Sequence, residues 1–510
     1  MPPSVLPAKD DFLRLARDGN VIPVYAQLAA DFETPLSAYL KLRDANYGFL
    51  FESAESTEKS GRWSILGSDP RWVLISHGDE ITFLEQGRKK TRPREGDVLQ
   101  ELQKLMGAYQ PATSDDAPPF YGGAVGFLGY DAVRQFEPII ASSPEDDLGL
   151  PESLFFLSET LVVFDHQLRR FFVVANALID EHESATIAYL DAIKRIESTL
   201  SRLDQPLHVP ALNGLTESEP PTPKSNTTKA EYEGMVSSAK EFIAAGDAFQ
   251  IVPSQRFEAD FSGSPVDLYR ALRHVNPSPY MFIYETPDFS LVGSSPEVHV
   301  RAIDGRIEIR PIAGTRWRGK TKEEDDALAD DLLNDEKERA EHVMLIDLAR
   351  NDVGRIAKPG TVTLDDQMII ERYSHVMHIV SNVSGELAPG FSSYDVLRST
   401  FPAGTVSGAP KIRAMQIINS LEKNKRGTYS GAVGYFAWDG NHDSCIALRT
   451  CLLKDGKVYL QAGAGVVADS DPTYEWQETH NKAAAMMKAV ALAKTITPSA
   501  SAEPSTTPAP

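Results

Sequence analysis

The sequence predicts an α+β fold of mixed α/β character, and three observations predict it. Short β-branched and aromatic runs bounded by polar residues recur through the N-terminal part. Capped helical stretches mark the C-terminal part. The two kinds of element are interspersed, without the regular strand–helix alternation of a doubly wound parallel sheet.

In chain order, Arg71 to Ser76, Leu161 to Phe164 and Phe171 to Ala175 read as strands. Residues 203–226 (LDQPLHVPALNGLTESEPPTPKSN) are rich in Pro, Ser and Thr and read as a linker or long surface loop. That segment divides an N-terminal domain, 1–202, from a C-terminal domain, 227–496. Thr228-Lys229-Ala230-Glu231 is a capping box, and Gly246 stands where a glycine closes the helix it opens. Phe249 to Phe257 reads as a strand. A helix is expected over about Glu323 to Ala349, broken near Asn334, with Leu328, Leu332, Val343 and Ile346 facing the core. Asp471 followed by Pro472 is an N-cap and first helical residue, opening a last helix to about Ile496. The final segment, 497–510, has too little apolar content to offset ordering entropy and reads as a disordered tail.

Composition narrows the function. Fifty-one basic against seventy-two acidic residues leave the 510-residue chain at a formal charge of -21. Nucleic-acid binding draws its affinity from Lys and Arg on phosphates, so that class is disfavoured. No apolar run approaches the ~20 residues of a membrane span, and the N-terminus lacks the apolar core of a signal peptide. Cys445 and Cys451 cannot form a disulfide framework, which fits a reducing compartment, so the cytosol is expected.

The first constellation that could carry chemistry is a duplicated carboxylate pair. Glu338 and Glu341 lie three apart in DEKERAEHVML, and Glu475 and Glu478 repeat the spacing in YEWQETHNK. Converging carboxylates call for a hard cation such as Mg²⁺, yet two solvated acidic helix faces give the same pattern, and spacing leaves both open. Pro402 to Lys411 (PAGTVSGAPK) runs into a helix whose first residue reads as Pro410, which suits either an anion site or a tight turn. Leu460 to Asp469 (LQAGAGVVAD) imitates a dinucleotide fingerprint, but Pro472 places the next helix start too late for the glycines to open it. His375 and His378 fall in a β-branched stretch. Arg449, in CIALRTC, reads as a cation inside an apolar strand, which needs an anionic partner, structural or bound.

These residues belong to a longer series that resembles the chorismate-utilising enzymes, and within them the anthranilate synthase large subunits. The series includes FLFESAE, GRWSILG, GGAVGFLGYDAVR, AGDAFQIVPSQRF, NPSPYMF, GSSPE, RPIAGTRWRG, DEKERAEHVMLIDLARND, FPAGTVSGAPK, YSGAVGYF, LQAGAGVV and ETHNKA, in order over roughly residues 21–492. The resemblance implies a two-sheet β-sandwich core flanked by helices. It implies a lyase that converts chorismate and ammonia to anthranilate and pyruvate, the first step of tryptophan synthesis.

The resemblance also implies roles. Glu341 and Glu478 would ligate Mg²⁺, with Glu338 and Glu475 holding its waters. Gly314, Thr315, Tyr429, Arg449, the Gly463-Ala464-Gly465 backbone and Lys482 would bind the substrate carboxylates. Glu297 of GSSPE would be the acid that protonates the leaving hydroxyl, its pKa raised by a neighbouring acidic cluster, with His378 and Thr405 as further catalytic residues. Ser53, with Pro279, Tyr280 and Met281, would bind tryptophan as feedback inhibitor. A separate glutaminase, in a hetero-oligomer, would supply the ammonia. Water-using relatives carry Lys where this chain has Gln250, and aminodeoxychorismate synthases typically carry Lys where it has Ala313. The nearest alternative is that second activity; a sensing subunit without catalysis is the other.

Overall fold

Hydrogen-bonded strand order, more than position in the chain, sets the architecture. The structure, a computed structural model, describes residues 4–44, 46–53, 61–114, 116–140, 144–209, 219–373 and 376–496; the expected tail lies outside them. Two twelve-stranded antiparallel sheets pack with helices around them. Strands from before and after the segment 203–226 enter both. In the first sheet Gly48–Glu52 pairs with Tyr280–Glu285, aligning Phe51 with Phe282. In the second, Gly123–Leu128 pairs with Ala432–Ala437.

The three expected strands are present as Pro70–His77, Thr160–Asp165 and Arg170–Leu178. Their residues are buried on both faces over most of their length, because each sheet is covered by the other on one side and by helices or loops on the opposite one. The core between the sheets is aromatic. Phe156 of the second sheet stacks on Tyr284 of the first at 5.1 Å, and the Tyr284 hydroxyl donates to the Leu154 carbonyl at 3.0 Å. Burying such a side chain contributes about 1.5–3 kcal/mol. A second core lies on the outer face of the first sheet, under helices Ala185–Leu203, Pro265–Val275 and Pro472–Ile496.

The capping box forms as read: the Thr228 hydroxyl accepts from the Glu231 N–H at 3.3 Å and the Glu231 carboxylate accepts from the Thr228 N–H at 2.9 Å. Gly246 follows the helix at φ +85°. The expected break near Asn334 separates helices Lys322–Asn334 and Glu336–Gly354.

Four expectations are corrected. Phe249 to Phe257 is two strands, Gln250–Ile251 and Ser254–Asp260. Pro253 has no N–H to give a ladder, and its carbonyl accepts from the Tyr232 hydroxyl and the Ala464 N–H. Val343 is 46% exposed, because its helix buries the face of His342, Leu345, Ile346 and Ala349. Lys224–Ser225, at the end of the expected linker, is a short strand paired with Ser254–Asp260. Pro410 is the N-cap, and the helix is Lys411–Leu421. No described helix is long and apolar enough to cross a membrane.

Candidate active site

A cleft of about 1040 Å³ opens where the chain twice changes sheets. Strand Ser290–Ser295 of the first sheet leads through Pro296 and Glu297 into Val298–Ile303 of the second. Strand His442–Ile446 of the second returns through Ala447, Leu448 and Arg449 into Thr450–Lys454 of the first. The two crossings are laced together. The Ile446 N–H donates to the Glu297 carbonyl at 3.0 Å, the Ser295 hydroxyl donates to the Ile446 carbonyl at 2.7 Å, and the Ser294 N–H donates to the Arg449 carbonyl at 3.1 Å. Arg449 is therefore outside a strand, contrary to the sequence reading, at φ +48°. A non-glycine residue held there stores strain of order 1 kcal/mol, which the flanking ladder bonds sustain.

Among the described residues no carboxylate lies within ion-pairing distance of Arg449. Its guanidinium is desolvated and its pKa drops, opposed only by nearby Glu297. Glu297 is 6% exposed, and burial pushes its pKa up to about 7, against the Thr405 hydroxyl, which donates to Oε1 at 2.6 Å, and against Arg449. The cause is desolvation, not the acidic neighbours expected from sequence. His378 is shifted the other way: burial lowers its pKa. The Gly314 carbonyl lies 2.8 Å from Nδ1 and accepts its proton, which leaves Nε2 as the basic nitrogen. The Thr315 hydroxyl is 3.1 Å from the same Nδ1.

The carboxylate pairs come from two helix starts that face the cleft. Asp335 caps its helix by accepting from the Lys337 and Glu338 N–H groups, and Asp471 accepts from the Tyr474 N–H. Glu338, Glu341, Glu475 and Glu478 all line the cavity. Burial first, then Glu341, raises the pKa of Glu338; burial, with Glu478, pushes Glu475 up to about 7. Gly314, at φ +67°, lets the backbone pass Glu338, since a β-carbon there would sit 3.1 Å from Oε2. Lys482 donates to Glu478 at 2.7 Å and to the Gly463 carbonyl at 3.0 Å, and Gln250 donates to Glu341 at 3.1 Å.

Among the described residues no three or more His, Cys, Asp or Glu form a ready metal cage. Mg²⁺ does not require one, being held by one or two carboxylates, waters and ligand oxygens. Hard-oxygen donors whose pKa values are raised by burial and, after it, by one another fit such a cation.

Of the other expected residues, Gly314, Thr315, Tyr429, Gly463 and Gly465 line the cleft. Ala464 is fully buried and its N–H is spent on the Pro253 carbonyl, so that peptide offers the cleft no donor. From the Pro402–Lys411 loop only Thr405 and Val406 reach the cavity; Lys411 is buried on Asp352 at 2.7 Å and on the Thr400 carbonyl at 2.6 Å. His375 lies outside the described residues. Sequence reasoning missed the contact from Gln250 to Glu341. A buried amide beside acidic helices was the available signal.

A second cavity, about 1250 Å³, lies between the sheets and is lined by Ser53, Pro279, Tyr280 and Met281, as grouped from sequence. The charged residues there escaped the sequence reading. Glu52, 5% exposed, accepts from the Tyr269 hydroxyl at 2.5 Å and pairs with Arg273 at 3.0 Å. Arg301 donates to the Tyr280 hydroxyl at 2.6 Å and to Asp443 at 3.2 Å, and the hydroxyl in turn donates to Asp443 at 3.0 Å.

A family profile described as chorismate binding enzyme matches residues 19–488. The chain is 49% identical over 492 residues to anthranilate synthase component 1 of Pseudomonas putida, covering 95% of this chain and 99% of that protein. The crystal structure of anthranilate synthase component I from Streptococcus pneumoniae superposes with a TM-score of 0.73 at 38% identity, over 90% of this chain and 99% of that one. The menaquinone-specific isochorismate synthase of Escherichia coli shares the fold, with a TM-score of 0.67 at 18% identity over 94% and 98% of the two chains.

Proposed function

The chain belongs to the chorismate binding enzymes and groups with their anthranilate synthase component 1 members, and from that premise we propose how its cleft makes anthranilate. Chorismate enters with two carboxylates. Arg449 offers a guanidinium not neutralised by any described carboxylate, and Lys482, paired with Glu478, adds an ammonium from the last helix. Two anionic groups on one small molecule match two such cations, although the chain as a whole carries -21: the favourable field is local. Glu341 and Glu478 would hold Mg²⁺, with Glu338 and Glu475 beside them; when bound, the ion neutralises the ring carboxylate and strengthens its electron demand.

Glu297 supplies the proton. As the nitrogen of ammonia bonds to ring C2, both ring double bonds shift, the C4–oxygen bond breaks, and the departing oxygen takes the Glu297 proton and leaves as water. The new ammonium then sheds one proton, which balances the step and can restore the acid. In the second step the C2 hydrogen leaves as a proton to His378 Nε2, the C3–oxygen bond breaks as the ring becomes aromatic, and the side chain departs as the pyruvate enolate, whose methylene carbon takes up one proton to give pyruvate, so that no net proton is gained or lost. A carboxyl with pKa about 7 can donate near neutrality, and a histidine with lowered pKa can accept.

Ala313, 8% exposed in strand Ile312–Trp317, lines the cleft with a methyl group and no nucleophile, which favours this reaction over aminodeoxychorismate formation. A component 1 works beside a second component; here that partner would be a glutaminase. Burial pushes the Cys451 thiol up to about 12 and Cys445 higher still, so neither serves as a glutaminase nucleophile. Within this reading residues 227–496 carry the catalytic groups. The inter-sheet cavity takes tryptophan: Ser53 and Met281 contact the amino acid, whose charged ends need partners and whose indole needs the aromatic walls.

The observation that carries the reading is Glu297, buried with its pKa pushed up to about 7, beside an arginine unpaired among the described residues in one cleft. The test is anthranilate fluorescence from purified chain with chorismate, Mg²⁺ and ammonium, with and without a chelator. A chelator-sensitive rise without any partner is expected. Intact chorismate, also after the glutaminase is added, would refute the assignment.

A further inference from the structure

The carboxylates that face the cleft are not equivalent, and the difference lies in what holds each one. Glu478 is paired with Lys482, half exposed on the same helix one turn on. A pair of that kind, with its lysine half exposed, is loose. Glu341 is held by Gln250, which is 3% exposed and stands in a strand whose neighbours fix it. The backbone of Gln250–Ile251 pairs with Gly408–Ala409. Its side-chain amide runs against the bare backbone of Gly465, where a β-carbon would come 2.8 Å from Nε2 and 3.4 Å from Cδ. A side chain so confined has few rotamers left, and it presents its NH₂ end to Oε1 of Glu341.

A carboxylate that accepts one directed hydrogen bond from a fixed donor loses its rotational freedom and keeps its other oxygen for a cation. The amide must remain neutral to do this. An acid there would repel Glu341, whereas the amide donates without adding charge. Gln250 and Gly465 thus form a two-residue clamp, a backbone gap and the side chain that fills it.

We propose that Gln250 is a positioning residue for Glu341: it orients that carboxylate for Mg²⁺, with Gly465 keeping the space it occupies. The role rests on the assignment of Glu341 as a cation ligand made above, and differs from any influence of Gln250 on the choice between ammonia and water.

The experiment is a calorimetric titration of the full chain with Mn²⁺ as the probe, without chorismate, for the wild type and for Gln250→Leu, Gln250→Asn and Gly465→Ala. Loss of an outer-sphere partner weakens metal binding about 10- to 100-fold. Gln250→Leu should weaken Mn²⁺ by that factor with the melting temperature little changed, and its turnover should recover as Mg²⁺ is raised. Gly465→Ala should weaken binding less, by displacing the amide. Gln250→Asn keeps the amide but falls one methylene short, and should lie between wild type and Gln250→Leu. Should Gln250→Leu unfold, Gly465→Ala and Gln250→Asn carry the test. Unchanged Mn²⁺ affinity in the folded variants, whatever happens to turnover, would overturn the clamp. No Mn²⁺ binding to the wild type, or binding unaltered in Glu341→Gln, would instead overturn the cation site itself, a separate failure.

Discussion

The two large cavities differ in how they treat charge. In the inter-sheet cavity charges are spent on the protein itself: Glu52 on Tyr269 and Arg273, Arg301 on Asp443 and Tyr280. In the cleft, the Lys482–Glu478 pair apart, the groups nearest the sheet crossings are held in reserve. Arg449 meets no described carboxylate, burial raises the pKa of Glu297 to about 7, and two carboxylate pairs repel within themselves. A recognition pocket can satisfy its groups and stay stable. A catalytic cleft must leave groups unsatisfied until substrate arrives, and its protein bears that cost in stability.

Glu297→Gln separates the two cavities most sharply. Turnover should fall about 10²- to 10⁴-fold, the usual worth of a general acid. Stability should move the opposite way. Because burial raises Glu297 from 4.5 to about 7, the folded chain holds a proton that the unfolded chain releases, and wild-type stability falls as pH rises through that window. Above neutrality the variant should gain up to about 3 kcal/mol, read as a higher melting temperature. A variant no more stable than wild type there would deny that burial is the cause. Arg449→Lys tests the reserve of positive charge. Losing a planar donor pair should raise KM for chorismate about 10- to 100-fold, on ~1.5–3 kcal/mol for hydrogen bonds to charged groups, with less effect on tryptophan inhibition.

On the other side, Tyr280→Phe leaves Arg301 and Asp443 without the shared hydroxyl. A loss of about 1–3 kcal/mol in denaturant unfolding is expected, with uninhibited turnover within about twofold. A comparable loss of turnover would mean the cavities are not independent. The smallest effect is expected from Ser53→Ala, which should weaken tryptophan inhibition by about tenfold, the worth of a single hydrogen bond, and leave uninhibited rates unchanged. Undiminished inhibition would mean that Ser53 does not contact tryptophan.

Local signals in the sequence were strong where one residue pattern has one physical meaning. The Thr228–Glu231 capping box and the Asp471–Pro472 start form as read, because caps answer to backbone groups within one turn. Long-range pairing was not legible. Nothing in GSSPE or CIALRTC states that both segments cross between sheets side by side, so Arg449 read as a strand residue. The cause of the Glu297 shift was missed for the same reason, since burial depends on what the rest of the chain brings. The carboxylate pairs were visible at their three-residue spacing, but that they share a cavity needed the fold. Gln250 was seen as a neutral residue in a telling place, while its partner, ninety-one positions away, was not. The break at Pro253 was available from sequence, since proline cannot donate to a ladder.

The central claim is that burial keeps Glu297 protonated for catalysis, and the pH dependence of kcat/KM for chorismate at fixed free ammonia tests it most directly. The profile reports the free enzyme's essential groups, so activity should decline on the alkaline side of about 7, and the residual activity of Glu297→Gln should lack that limb. A wild-type profile that stays level through the alkaline range, or the same limb in the variant, would contradict the account.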